Sequence, residues 1–376
     1  MPWYDENSIP VTRPLLPPLE EFIPYLESIW ENAWLTNDGP FHRQFESELA
    51  TYLGVEHLSL FTNGTLALIT ALQALDIQGE VITTPYSFVA TSHALIWNNI
   101  QPVFADIDPD TLNLDPVRIE PLITERTRAI LPVHVYGNPC DTKRIDNIAQ
   151  KHGLKVIYDA AHAFNVRQDG HPVVKDGDLS ILSFHATKVF NTFEGGAIVC
   201  RDSATKQAID KLKNFGLEDE VTMTMPGINA KMSEFQAAFG LLQLQHVDKA
   251  IERRGRICAR YRKMLSGIEG IRLHSWPDNT RQNYGYFPIF VDERFPISRE
   301  ALYLLLRSHG IYARRYFYPL ISNFPFYQHH PSAQVEFLPV ANRCAEQVLC
   351  IPVSPTLSDE QQNRVISVIR SAAGLS

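Results

Sequence analysis

The sequence predicts an α/β fold: a large unit built on a mostly parallel sheet, followed by a smaller α+β unit. Three observations carry this. From Leu58 to Cys200, short apolar runs alternate with polar, helix-like segments. Several of those runs are apolar on both faces, as strands are when helices cover both sides of a parallel sheet. Beyond about Ala230 the alternation gives way to long stretches of helical spacing. Strands alternating with helices argue for βαβ connections.

In chain order, the strand candidates are HLSLFTN, EVITTPY, QPVFADID, RAILPVHVYG, LKVIYDAA, LSILSFHA and GGAIVCRD. Helices are expected between them, at Thr65 to Leu75, Ser87 to Asn98 and Lys143 to His152. KMSEFQAAFGLLQLQHVDKAIERRGRICARYRKML reads as one or two long amphipathic helices. A β-like run (NYGYFPIFV) and two more helices (SREALYLLLRSHG and LSDEQQNRVISVIRSAAG) follow. The expected division is a large unit over residues 1–245, with an N-terminal arm, and a small unit over 246–376.

With 376 residues, 45% of them hydrophobic and 20% charged, the chain closes its core without staples. The net charge of −8 comes with no basic block, so neither nucleic acid nor an anionic membrane surface is an expected partner. The five cysteines are scattered and form no CxxC, which argues against a disulfide framework or a metal site and fits a reducing cytoplasm. MPWYDENSIPVTRPLLPP lacks the charged-then-apolar pattern of a signal peptide, and no apolar run reaches a membrane span's length of about 20 residues.

Four places carry chemistry. In FTNGTLAL a strand ends at Thr62-Asn63-Gly64-Thr65 and a helix begins. Free N–H groups beside a glycine make an anion site there, with Thr65 able to add a hydroxyl; the alternative is a plain turn with Thr65 as N-cap. In VIYDAAHAF, Asp159 ends an apolar run, where a carboxylate needs a partner, and His162 follows three residues later. In LSILSFHATKVFNTFEGG, Lys188 stands five residues after Ser183. A desolvated lysine keeps part of its population as free amine, as Schiff-base chemistry requires, whereas an exposed loop lysine would carry no such role. In TPYSFVAT, Phe88 lies at another strand-to-helix junction and could stack on a ring. Together, a phosphate cradle, an Asp for a pyridinium nitrogen and a Schiff-base lysine, in that order on an α/β scaffold, meet the needs of pyridoxal phosphate.

LTNDGPFHRQFESELATYLG, FTNGTLAL, TPYSFVATSHAL, PVHVYGNPCD, YDAAHAF, SFHATKVFNTFEGGAIV, PGINAKMSEFQAAFG and GIYARRYFYPL occur in order over nearly the whole chain. In these motifs the sequence resembles the DegT/DnrJ/EryC1/StrS sugar-nucleotide aminotransferases, pyridoxal-phosphate enzymes of fold type I. The resemblance implies that Lys188 bonds the cofactor and shuttles protons, and that Asp159 partners the pyridinium nitrogen. It places His162 near the ring hydroxyl, Phe88 on the ring face, and Gly64, Thr65 and Ser183 at the phosphate. Asn229 would reach the phosphate from a partner subunit, implying a homodimer with shared sites. L-glutamate is the implied donor, a nucleotide-linked keto sugar the acceptor, and pyridoxamine phosphate the form the cofactor passes through.

Asn191-Thr192-Phe193-Glu194-Gly195-Gly196 looks like the segment of members that aminate C4, above all those converting dTDP-4-keto-6-deoxyglucose to dTDP-4-amino-4,6-dideoxyglucose for O-antigen sugars. Candidate substrate contacts are Asn37, His185, Lys231, Arg314, Tyr316 and Tyr318, with Arg315 and Phe317 in the same ARRYFYP segment; that segment could equally be a solvated loop with its aromatics packed on the small unit. The alternatives are a galacto-configured product, a 3-keto or GDP- or UDP-linked sugar, a dehydratase and a non-catalytic regulator. Lys188 in place of histidine disfavours the dehydratase.

Overall fold

The computed structural model describes residues 7–375. The first six residues of the segment read above as lacking a signal sequence lie outside it. Helices α1 (Leu19–Asn32) and α2 (Pro40–Leu53) precede the sheet. Then come β1 (His57–Phe61), α3 (Gly64–Ala74), β2 (Glu80–Thr83), α4 (Ala90–Trp97), β3 (Gln101–Phe104), β4 (Thr127–Leu131) and α5 (Thr142–His152). The large unit continues with β5 (Lys155–Asp159), β6 (Leu179–Ser183), β7 (Gly196–Cys200) and α6 (Ser203–Leu212). All seven expected strands join one sheet, ordered β1-β7-β6-β5-β4-β2-β3. Every neighbouring pair is parallel except the two that β7 makes with β1 and β6. The parallel strands therefore deliver the loops after β1, β2, β5 and β6 to one edge, where open α/β sheets place their ligands.

Helix α7 (Glu234–Leu265) is a single 32-residue element, about 48 Å long, opened by a capping box of Ser233 and Gln236. Its first half buries Ala237, Leu241, Val247 and Ile251 with Phe45 and Phe184 of the large unit. Its second half buries Ile257, Tyr261 and Leu265 in a separate core. That core covers an antiparallel sheet of β8 (Ile271–Leu273), β9 (Pro288–Val291) and β10 (Val348–Cys350). Helices α8 (Arg299–Ser308), α9 (Pro339–Gln347) and α10 (Asp359–Ala372) complete the chain. The boundary expected at residue 245 thus falls inside a continuous helix. The arm returns to the C-terminal part: Ile9 and Pro10 pair in parallel with Ile311 and Tyr312, and Ile9 is buried in the same core.

Candidate active site

The turn after β1 is built by Asn63, whose extended backbone and side-chain oxygen accept the Leu66 N–H at 2.8 Å. This corrects the reading of Thr65 as the N-cap: Thr65 is already helical and exposed. The cap leaves the N–H groups of Gly64 and Thr65 without hydrogen bonds among the described residues. Gly64 is required by packing. A Cβ there would lie 3.0 Å from Cβ and 3.3 Å from Oγ of Ser183. Gly196 allows the same approach from β7, since its Cβ would lie 2.8 Å from the Gly64 nitrogen. The structure therefore brings Gly64, Thr65 and Ser183 together at the start of α3, leaving a cradle of N–H groups and hydroxyls suited to an oxyanion.

Asp159 ends β5 and is buried, with only 5% of its surface exposed. One carboxylate oxygen accepts the Thr91 hydroxyl at 2.7 Å and the other the Ala161 N–H at 3.1 Å. Burial pushes its pKa up, while Thr91, Ala161 and the Lys188 charge pull it down without prevailing. A carboxylate in that balance is short of positive charge, and a cationic ring nitrogen would supply it.

Lys188 follows β6 in a loop closed by the Phe184 N–H on the Gly195 carbonyl at 2.8 Å and the Thr192 N–H on the Phe184 carbonyl at 2.9 Å. Phe184 and Phe190 flank it in the core; Phe190 stacks on Phe164 with ring centres 4.4 Å apart. Lys188 keeps some accessible surface, yet the protein crowded around its amine lowers its pKa to about 8, with Asp159 opposing. With Ala161, His162, Asn283 and Tyr286 it lines one small cavity. Nδ1 of His162 accepts the Tyr136 N–H at 3.2 Å, which leaves Nε2 to carry the proton of the neutral ring. Burial, and then the Lys188 charge, keep that ring neutral by holding its pKa well below the ordinary histidine value.

The ARRYFYP segment divides. Phe317 is buried and stacks on His162, with ring centres 5.8 Å apart and planes 6° off parallel. Tyr316 lines a second cavity with Thr187 and Tyr286. Arg315 is tied to Glu300 at 2.8 Å and lies over Tyr303. Arg314 and Tyr318 are exposed. Phe88 is exposed too, at 59%, at the entry to α4. Asn37, at φ 60°, lies in an exposed loop between α1 and α2, which the Glu234 N–H ties to α7 through the Leu35 carbonyl at 3.0 Å; the Glu234 carboxylate accepts the Phe41 and His42 N–H groups at the start of α2. His185 is exposed 3.7 Å from Glu194. Asn229 is exposed, Lys231 donates to Asn214 at 2.9 Å, and Ala230 between them accepts the Thr62 N–H at 2.9 Å. Thr91, Asn283 and Tyr286 went unforeseen, although Thr91 lies within TPYSFVATSHAL and the other two within NYGYFPIFV, which follows α7 in the chain.

Comparison with known proteins fits this geometry. Over 365 residues the chain is 55% identical to the dTDP-4-amino-4,6-dideoxy-D-glucose transaminase of Shigella dysenteriae, covering 97% of this chain and 99% of the relative. It is 54% identical over 358 residues to the Escherichia coli protein of the same name, covering 95% and 96%. The crystal structure of DesI in the presence of its TDP-sugar product superposes with a TM-score of 0.93 at 36% identity, covering 99% of this chain and 94% of DesI. Residues 19–370 match the DegT/DnrJ/EryC1/StrS aminotransferase family, and the chain belongs to that family.

Proposed function

We propose that this protein is a pyridoxal-phosphate-dependent aminotransferase that moves the amino group of L-glutamate to the 4-keto carbon of dTDP-4-keto-6-deoxy-D-glucose. The products are dTDP-4-amino-4,6-dideoxy-D-glucose and 2-oxoglutarate. One observation carries the reading: an amine with a lowered pKa, a buried carboxylate short of positive charge and an oxyanion cradle share one edge of the sheet. The transaminases more than half identical to this chain, and the TDP-sugar of DesI, support the choice of substrate.

The residues fit the cofactor. Gly64, Thr65 and Ser183 would hold its phosphate, Asp159 its ring nitrogen and His162, through Nε2, its ring hydroxyl. Phe88 is free to cover the ring and exclude water. When bound, pyridoxal phosphate supplies the electron sink that stabilises the charge left by removal of a proton beside the nitrogen. Lys188 does the proton work. Its lowered pKa leaves a usable share as free amine to take that proton and later return it. Asn37, His185, Lys231, Arg314, Tyr316 and Tyr318 are the proposed contacts for the sugar and diphosphate, cations facing phosphates and aromatic rings facing the nucleoside.

We also propose a homodimer in which Asn229 serves the neighbouring site. Exposed Phe215, Val221, Met223 and Ile228 beside it provide the apolar surface. Five free, buried cysteines suit a cytoplasmic enzyme, and among the described residues no helix is long and apolar enough to cross a membrane. The test is incubation with L-glutamate and the keto sugar, with the products separated by chromatography and identified by mass. An amino sugar nucleotide formed together with 2-oxoglutarate is expected, and Lys188→Ala should lose it. Turnover of another keto sugar nucleotide in its place would overturn the substrate, and undiminished turnover in Lys188→Ala the site.

A further inference from the structure

Asp159 is not held by the sheet alone. Ser87, Phe88 and Thr91 occupy the single turn that opens α4, with the Thr91 N–H on the Phe88 carbonyl at 3.2 Å. Inside that turn the hydroxyls of Ser87 and Thr91 are 2.8 Å apart, and Thr91 Oγ1 lies 2.7 Å from Asp159 Oδ2. All three side chains are at least nine-tenths buried: Ser87 is 5%, Thr91 1% and Asp159 5% exposed.

With Asp159 ionised, the chain has one direction. An ionised carboxylate can only accept, so Thr91 gives it its one proton, and Ser87 must then donate to Thr91. A protonated carboxyl could instead donate to Thr91 and reverse both bonds. The Thr91 hydrogen bond is stronger to a charged carboxylate than to a neutral acid, and Ser87 polarises it further, so the pair favours the ionised form in a place where burial alone favours the neutral one. With Thr91 on one oxygen and the Ala161 N–H on the other, the carboxylate retains lone pairs for one more donor.

We propose that Ser87 and Thr91 are positioning residues for this reaction: a buried hydroxyl relay that keeps Asp159 ionised and oriented to accept from the ring nitrogen of the cofactor. This rests on the reading of Asp159 given above. The same turn presents Phe88, so the relay also ties the proposed ring-covering side chain to the carboxylate beneath it. The direction of the Asp159 shift agrees: burial raises it, and the Thr91 hydrogen bond is the largest effect opposing that rise.

The experiment measures pyridoxal-phosphate affinity by equilibrium dialysis of the apoprotein, and the absorption spectrum of the bound cofactor. Thr91→Val keeps the shape and removes the hydroxyl. It should bind on the order of tenfold more weakly and shift the band. Thr91→Ser should restore both to within about twofold, which a merely structural role would not require. Ser87→Ala should move both readouts the same way by about threefold, and it serves alone if Thr91→Val does not fold. Wild-type affinity and spectrum in Thr91→Val, or in Ser87→Ala where that variant stands alone, overturn the relay. Asp159→Asn separates the two failures. If it too binds like wild type, the reading of Asp159 itself is wrong. If it loses affinity while the hydroxyl variants do not, only the relay falls.

Discussion

The lowered pKa of Lys188 can be tested without cofactor or substrate. Burial moves the amine from 10.5 to about 8, against the pull of Asp159. At about pH 7.4 that leaves roughly one Lys188 side chain in five as free amine, against fewer than about one in a thousand for an ordinary lysine. The gain in reactive form is therefore on the order of two hundredfold. Competitive labelling of the apoprotein with acetic anhydride, with a free lysine derivative as internal reference and the Lys188 peptide quantified by mass, reads this directly. The labelling profile should inflect near pH 8. Asp159→Asn removes the one charge that raises the amine's pKa, so its inflection should fall lower still. An inflection near 10, or one that rises in Asp159→Asn, would refute the argument that burial sets the charge of this lysine against the carboxylate.

Three further outcomes follow from the packing. In Gly196→Ala the new Cβ would sit 2.8 Å from backbone atoms of Asn63 and Gly64, well inside the ordinary carbon contact of about 3.5–4.0 Å. Thermal unfolding should show a loss of about 1–3 kcal/mol, with weaker pyridoxal-phosphate binding because the cradle is pushed aside; an unchanged variant would contradict that contact. Asn63→Ala should cost about 1 kcal/mol, read by denaturant unfolding, through loss of the α3 cap. Phe317→Ala empties the space against His162 and Tyr136. It should cost about 3 kcal/mol or more in the same measurement and raise KM for the sugar.

Much of this was legible in the sequence for specific reasons. The seven sheet strands were readable because β2, β4, β5, β6 and β7 are apolar on both faces, which only a doubly covered sheet tolerates. Helix α7 was readable from its apolar spacing, although whether it was one helix or two was not. Helices α1 and α2 were missed. The first carries an internal proline and buries only Phe22 and Ile29. The second does show its buried face, at His42, Phe45, Leu49 and Leu53, a helical spacing that was there to be read. Thr65 looked like a cap because threonine is a good one, but Asn63 lies one residue ahead of the helix and takes the role.

The class of fold and the residue types able to do the chemistry can be read from the chain alone, since burial pattern and titratable groups at strand ends are local properties. Which of them meet is set by folding. Thr91 and Asp159 are 68 residues apart and touch because β2 and β5 flank β4 in one sheet. Tyr286 and Phe317 reach His162 from the far side of α7. The charge states of Lys188 and Asp159 likewise depend on what surrounds them, because a pKa responds to the desolvation and neighbours that folding supplies and that no single stretch of chain carries.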